Sequence, residues 1–199
     1  MQATTGISIE PIDTSQFDEF LKYLGDQLSD NGKGATPYFA PLAPGDSLLT
    51  PEKVAAFRDG LQLPVGSRGW RRAWVARSAN RQLIGHVDLR SHQQRYTEHR
   101  CLLGMGVHRQ HRRHGLGAAL IAYAEKWALA NTAIAWIDLQ VLSGNEPAMR
   151  LYLRAGFTKI GEVPEMFRIE GRSFSDITMT KRLSLKSDSC DSTHAHSWH

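Results

Sequence analysis

The chain has 199 residues, of which 41% are hydrophobic and 22% charged. That size and balance fit one globular domain and exclude a collagen-like, coiled-coil or wholly disordered chain. Its 24 basic and 20 acidic residues leave a net +4 with His neutral, which points to an anionic partner: nucleic acid, an acidic surface or a phosphorylated small molecule.

No stretch approaches the roughly 18 apolar residues of a membrane span. Met1 to Gly6 lacks the basic start and apolar run of a signal peptide. The only cysteines, Cys101 and Cys190, cannot make a disulfide framework or a four-cysteine zinc site. The expectation is a reduced, cytoplasmic protein without a metal.

In chain order, Ile7 to Glu10 alternates apolar and polar and reads as a short strand. Asp13 or Thr14 caps a helix carrying Phe17, Phe20, Leu21, Leu24 and Leu28 at helical spacing, stopped by the Asn31-Gly-Lys-Gly segment. Residues 34–49 are rich in Pro and Gly and contain Tyr38 and Phe39; so long a loop is more often functional or mobile than inert. Thr50-Pro51-Glu52 supplies an N-cap, a first-turn proline and an acid near the positive end of a second helix through Val54, Phe57 and Leu61.

Ala73 to Ala76 and Leu83 to Leu89 flank a turn at Ser78 to Gln82 and read as a hairpin. A polar loop, His92 to Arg100, leads to a third strand, Leu102 to Val107. Its glycines, Gly104 and Gly106, mark a bulge or a close approach to the backbone. Leu116, Leu120, Tyr123 and Trp127 share one helical face. Ala135 to Val141 is a strand, and Asn145 to Ala155 a helix stopped by Gly156. Phe157 to Glu162 and Phe174 to Lys181 are the last strands, with a turn at Gly171-Arg172. Residues 184–199 are dominated by Ser, Asp and His and read as a disordered tail, with His194, His196 and His199 solvated rather than metal-bound. Residues 1–183 then form one domain of mixed strands and helices.

The segment between Val107 and the helix at Leu116 is basic, and its core is Arg112-x-x-Gly115-x-Gly117. A helix N-terminus has about four unpaired N–H groups and roughly half a positive charge, which makes it an anion site. Glycines clear the approach of an oxygen, and Arg112 and Arg113 add donors suited to phosphate. The pattern predicts a pyrophosphate cradle; the plainer alternative is a basic connecting loop. It is neither a Walker A loop nor a dinucleotide-binding G-x-G-x-x-G.

Arg112-x-x-Gly115-x-Gly117 after a strand ending in Val107 resembles the acetyl-CoA-binding motif of the GCN5-related N-acetyltransferases (GNAT). Some 30 residues further on, Asn145-Glu-Pro-Ala-Met-Arg-Leu-Tyr152-Leu-Arg-Ala-Gly156-Phe157 resembles the companion motif of the same family. The resemblance runs from about Ala73 to Leu183. It implies an α/β (α+β) fold: a central mixed, mostly antiparallel sheet of about seven strands with a splayed pair, flanked by about four helices. It implies acetyl-CoA as co-substrate, bound by Met105, Val107, Arg112, Arg113, His114, Gly115, Leu116, Gly117, Asn145 and Tyr152. In that family the strand before the loop is bulged, and Gly104 and Gly106 suit such a bulge. Asn145 serves equally well as a helix N-cap. Tyr152 would be the general acid that protonates the departing thiolate. A homodimer is a habit of the family.

A base has no motif of its own. His86 and Asp88 share a strand face by alternation and are the catalytic candidates, with Glu98 and His99 beside them. Some relatives carry a Glu where this chain has Leu103 and Met105. Tyr38 and Phe39 in the long loop, and Met166 and Phe167 near the closing hairpin, are candidates for the acceptor site. The leading expectation is an N-acetyltransferase acting on a primary amine of a small molecule or amino acid. A protein N-terminus or a ribosomal protein is the alternative acceptor. A catalytically inactive CoA-binding sensor and a basic nucleic-acid-binding domain are the readings from other classes.

Overall fold

Strands Ser8–Pro11 (β1), Arg71–Arg77 (β2), Leu83–Arg90 (β3), Arg100–Val107 (β4), Trp136–Leu142 (β5), Thr158–Ile169 (β6) and Arg172–Arg182 (β7) form one sheet in the computed structural model, in the order β1-β2-β3-β4-β5-β7-β6. The structure describes residues 6–43, 45–46 and 49–184. The expected tail, with Cys190 and the three C-terminal histidines, lies outside them from residue 185 onward. All neighbouring strands are antiparallel except β4 and β5. That pair is parallel and short, running only from Arg100↔Trp136 to Leu102↔Asp138. Beyond Leu102 the two strands part. With helices Phe17–Leu28 (α1), Pro51–Gly60 (α2), Leu116–Asn131 (α3) and Glu146–Arg154 (α4), this is the mixed, mostly antiparallel and splayed architecture expected. No described helix is long and apolar enough to cross a membrane.

The caps set where the helices begin. Asp13 accepts from the Ser15 amide and starts a single 3-10 turn that leads into α1. Thr50 accepts from the Lys53 amide at the start of α2, and Asn145 from the Ala148 amide at the start of α4. Only glycine stands at the N-cap of α3: Gly115 has φ +82° and offers no side-chain cap.

One face of the sheet packs α3. Val87, Leu89, Leu120, Ala124, Ala128, Ile137 and Met179 are almost completely buried there. The buried face of α3 differs from the expected one. Leu116, Leu120, Ala124 and Ala128 form the stripe on the sheet, because small alanines let the helix lie close. Tyr123 and Trp127 sit half-buried at its margin against Trp74. On the other face, Phe17, Phe20 and Tyr23 of α1 pack with Val75 and with Phe57 of α2. Arg77, 4% exposed, ties β1, β2 and α1 together through Glu10, Glu19, Gln16 and the Arg81 carbonyl.

Two further differences concern strands. The sixth strand continues past Glu162 to Ile169. As an outer strand it is exposed on both faces and shows no alternation, and its register jumps between Val163 and Phe167, around Pro164. β4 pairs with β3 without a register shift from Leu102 to Val107, so Gly104 and Gly106 make no bulge against it. They are glycine because side chains of neighbouring elements cross directly over them. A Cβ on Gly106 would overlap Gln27 and the His86 ring, and one on Gly104 would overlap Asp88 and Arg90.

Candidate active site

The parting of β4 and β5 opens a cleft of about 1700 Å³ that runs from the long loop and α2, past β3 and β4, to α3 and α4. Its floor has unsatisfied backbone groups. The His108 amide donates to the Ile84 carbonyl, and alternation then turns the peptide groups of Gly106 and Gly104 toward β3. Those of Met105 and Val107 face the gap. Both residues line the cleft, and the Val107 carbonyl already accepts from Arg112 Nε at 3.1 Å.

At one mouth lies the N-terminus of α3. The first intrahelical bond runs from Ala119 to the Gly115 carbonyl. The amides of Leu116, Gly117 and Ala118 are therefore free of helical partners, and no side chain caps them. Gly115, Gly117, Arg112 and Arg113 line this mouth. Leu116 contributes only its backbone, since its side chain is 3% exposed and packs in the core. His114 is exposed and does not line the cleft.

The charges here are partly spoken for. Arg109 makes a two-pronged bond to Asp26 (2.7 and 2.7 Å), with His108 Nε2 beside it at 3.4 Å. Arg112 bonds Asp30 at 2.8 Å. Both acids belong to the C-terminal end of α1 and the turn after it, where negative charge opposes the helix dipole unless cations meet it. Their position was the sequence signal for this pairing, which sequence reasoning missed. Arg113, at φ +67°, has no ion pair among the described residues.

Tyr152 lines the cleft from α4, 9% exposed, with its ring edge-on to Phe157. Burial pushes its pKa up to about 12, so the phenol keeps its proton at neutral pH. No protein group among the described residues bonds its hydroxyl, and no buried side-chain oxygen among them lacks a partner. The hydroxyl therefore opens on the cleft. Asn145 also lines the cleft, and there it is the α4 N-cap, 8% exposed.

His86 stands across the gap on β3, 8% exposed, edge-on to Phe20 and Tyr23. Tyr23 Oη donates to the Gly106 carbonyl at 3.2 Å and meets His86 Nδ1 at 3.4 Å. A hydroxyl has one hydrogen, so we assign the Nδ1–H as the donor in the second contact, which leaves Nε2 a bare acceptor open to the cleft. Burial depresses the His86 pKa to about 4, only partly countered by Asp88. Asp88, 5% exposed, does not bond His86. Its Oδ1 accepts from Arg90 Nη1 at 3.1 Å and forms an ion pair with Arg71 Nε at 3.2 Å. Burial pushes its pKa up, but Arg90, Arg71 and His86 together hold it below the ordinary carboxylate value. Sequence reasoning missed Tyr23 and Arg71, which only the packing of α1 and β2 on β3 brings to the site, and Arg90, which stands on β3 itself on the face that His86 and Asp88 share.

Glu98 and His99 lie exposed before β4, at the end where it still pairs with β5, and do not line the cleft. Of the acceptor candidates, Phe39 lines the cleft but Tyr38, Met166 and Phe167 do not. Tyr38 is a strut. Its hydroxyl donates to Glu170 and its ring packs on Phe174, in a small core that half-buried Phe167 joins. Met166 is 54% exposed on the outer strand. Beneath the loop, buried Asn31 binds four backbone groups: the amides of Phe39 and Ala40 and the carbonyls of Ala40 and Leu42.

Comparison with known proteins bears on this geometry. The sequence profile of the Acetyltransferase (GNAT) family matches residues 46–157. A streptothricin acetyltransferase from Escherichia coli is 32% identical over 79 residues, 40% of this chain and 43% of that protein. The chain thus matches less than half the length of that curated relative. Among solved structures, a GNAT-family acetyltransferase from Streptococcus pneumoniae superposes with a TM-score of 0.73 at 22% identity, over 88% of this chain and 99% of that one. A spermidine N-acetyltransferase from Vibrio cholerae, in complex with CoA and spermine, gives 0.67 at 18% identity over 90% and 96%.

Proposed function

The chain belongs to the GNAT acetyltransferase family, and on that premise we propose that it transfers an acetyl group from acetyl-CoA to a primary amine of a small molecule or amino acid. The observation that carries this reading is the cleft that opens beyond Leu102, lined by Tyr152 from α4 and by His86 from β3. Phosphate oxygens fit the three amides of α3 without helical partners and Arg113, which has no ion pair among the described residues. The peptide groups of Met105 and Val107 would hold an extended amide-bearing arm along the gap, with Asn145 at its far wall. This is the residue set for the co-substrate.

The chemistry follows from the charge states. Tyr152 retains its proton and donates it to the sulfur as the thioester breaks. His86 Nε2 accepts an N–H of the neutral amine and so aims its lone pair at the carbonyl. Asp88, ionised two residues along, steadies the positive charge that grows on the attacking nitrogen, whose extra proton then leaves by way of His86 Nε2 to solvent, while the Tyr152 phenolate takes a proton back from solvent. An amide on β4, Met105 or Val107, faces the developing oxyanion. Only the neutral fraction of the amine attacks, and that fraction rises with pH toward the acceptor's own pKa.

The nucleic-acid reading loses its support at the basic segment, where Arg109 and Arg112 are committed to Asp26 and Asp30. The test is release of free thiol from acetyl-CoA with a panel of amines that includes amino acids, polyamines and an N-terminal peptide. Turnover with a small amine supports the proposal. Tight CoA binding without turnover of any amine would replace it with the sensor reading.

A further inference from the structure

Arg71 and Arg90 stand directly opposite each other across β2 and β3. Like charges in register are unfavourable in a sheet. A single carboxylate lies between them, Asp88, whose Oδ1 takes one nitrogen from each. Two guanidiniums against one carboxylate leave one positive charge unmatched.

That surplus is not on open surface. The side chains of Arg71, Asp88 and Arg90 are 21%, 8% and 35% exposed. Arg71 stacks over the Phe57 ring at 4.0 Å. The Arg71 Nη1 and Nη2 and the Arg90 Nε and Nη2 meet no acceptor among the described residues, yet no buried side-chain nitrogen among those residues is without a partner. These donors therefore open on the cleft, whose wall all three residues line together with His86 and Lys53. A half-buried, unmatched charge that presents planar forks of N–H donors is a receptor for an oxyacid.

We propose that Arg71 and Arg90, held apart by Asp88, form the subsite that selects the acceptor: an amine that also carries a carboxylate, of the amino acid class. This rests on the acetyl-transfer reading above. The carboxylate would lie on the two guanidiniums and the amine toward His86. Positions 86 and 88 are about 6.7 Å apart along a strand, and both guanidiniums reach back to Asp88, so the distance left to His86 is one that an amino acid spans with a hydrogen bond at each end. A polyamine would meet positive charge on this wall instead.

The test compares each of several α- and ω-amino acids with its own carboxamide in the thiol-release assay. The carboxamide has the less basic amine, more of it neutral, so intrinsic reactivity favours the amide. The subsite predicts the reverse, with kcat/KM for the acid about tenfold higher or more, as for a charge-assisted contact. In Arg90→Gln the acid-to-amide ratio falls toward one while the KM for acetyl-CoA stays within about twofold, and Arg90→Lys, with charge but no fork, falls between. Amides or polyamines used as well as the acids would overturn the subsite while leaving acetyl transfer intact. If no amine is turned over, calorimetric titration of an amino acid into the protein with CoA decides. Binding lost in Arg90→Gln upholds the subsite and places the failure with acetyl transfer; no binding overturns the subsite.

Discussion

Burial decides the charge state of His86, and a measurable dependence of stability on pH follows. Its folded pKa is near 4 against an ordinary 6.5. Between those values the unfolded chain holds a proton that the folded chain does not, so stability falls as pH drops from about 6.5 to 4. The full shift corresponds to about 3 kcal/mol. Chemical denaturation at pH 7 and at pH 4.5 should show wild type losing more stability than His86→Gln. Equal losses would mean that His86 titrates normally. Alternation alone put His86 and Asp88 on one face, and that much was legible in the sequence. Their separate partners were not, because Tyr23 reaches His86 from 63 residues away and Arg71 reaches Asp88 across a strand pair.

At the scale of elements, the loop after α1 and the loop before α3 have opposite designs. The first is organised around one buried amide. Asn31→Ala removes four hydrogen bonds to the backbone and leaves some of those groups unsatisfied, which should cost about 2–4 kcal/mol in denaturant unfolding. A loss below half a kcal/mol would show that the loop is held by other contacts. The loop before α3 keeps a cation and three amides free instead. Calorimetry should show CoA binding roughly tenfold weaker in Arg113→Ala, and little changed in Arg109→Ala, whose guanidinium is committed to Asp26. The reverse order would move the phosphate contact to Arg109.

Caps and periodicity made most elements readable in advance: Thr50 and Asn145 start their helices as their residue types require. The strand β6 was only half legible, since an exposed outer strand has no core to impose alternation. Tyr38 illustrates a different limit. An aromatic in a long loop looks like a substrate contact, but Glu170 and Phe174, more than 130 residues away, make it a strut.

For the whole molecule, one local event opens the cleft: β4 and β5 pair over three registers and then part. Everything the proposal uses stands around that gap. The motif at Arg112 to Gly117 and the one at Asn145 to Tyr152 announced its two ends in the sequence. The wall that carries His86, Arg71 and Arg90 did not announce itself, because it is assembled from β2, β3, α1 and α2, each with unremarkable local sequence. Whether Tyr152 gives up its proton in that gap is read from steady-state thiol release by wild type and Tyr152→Phe with one accepted amine. The account predicts a kcat about 100-fold lower with the KM for acetyl-CoA within about twofold, since the phenol acts in the transition state and contributes little to binding. An unchanged kcat would contradict it.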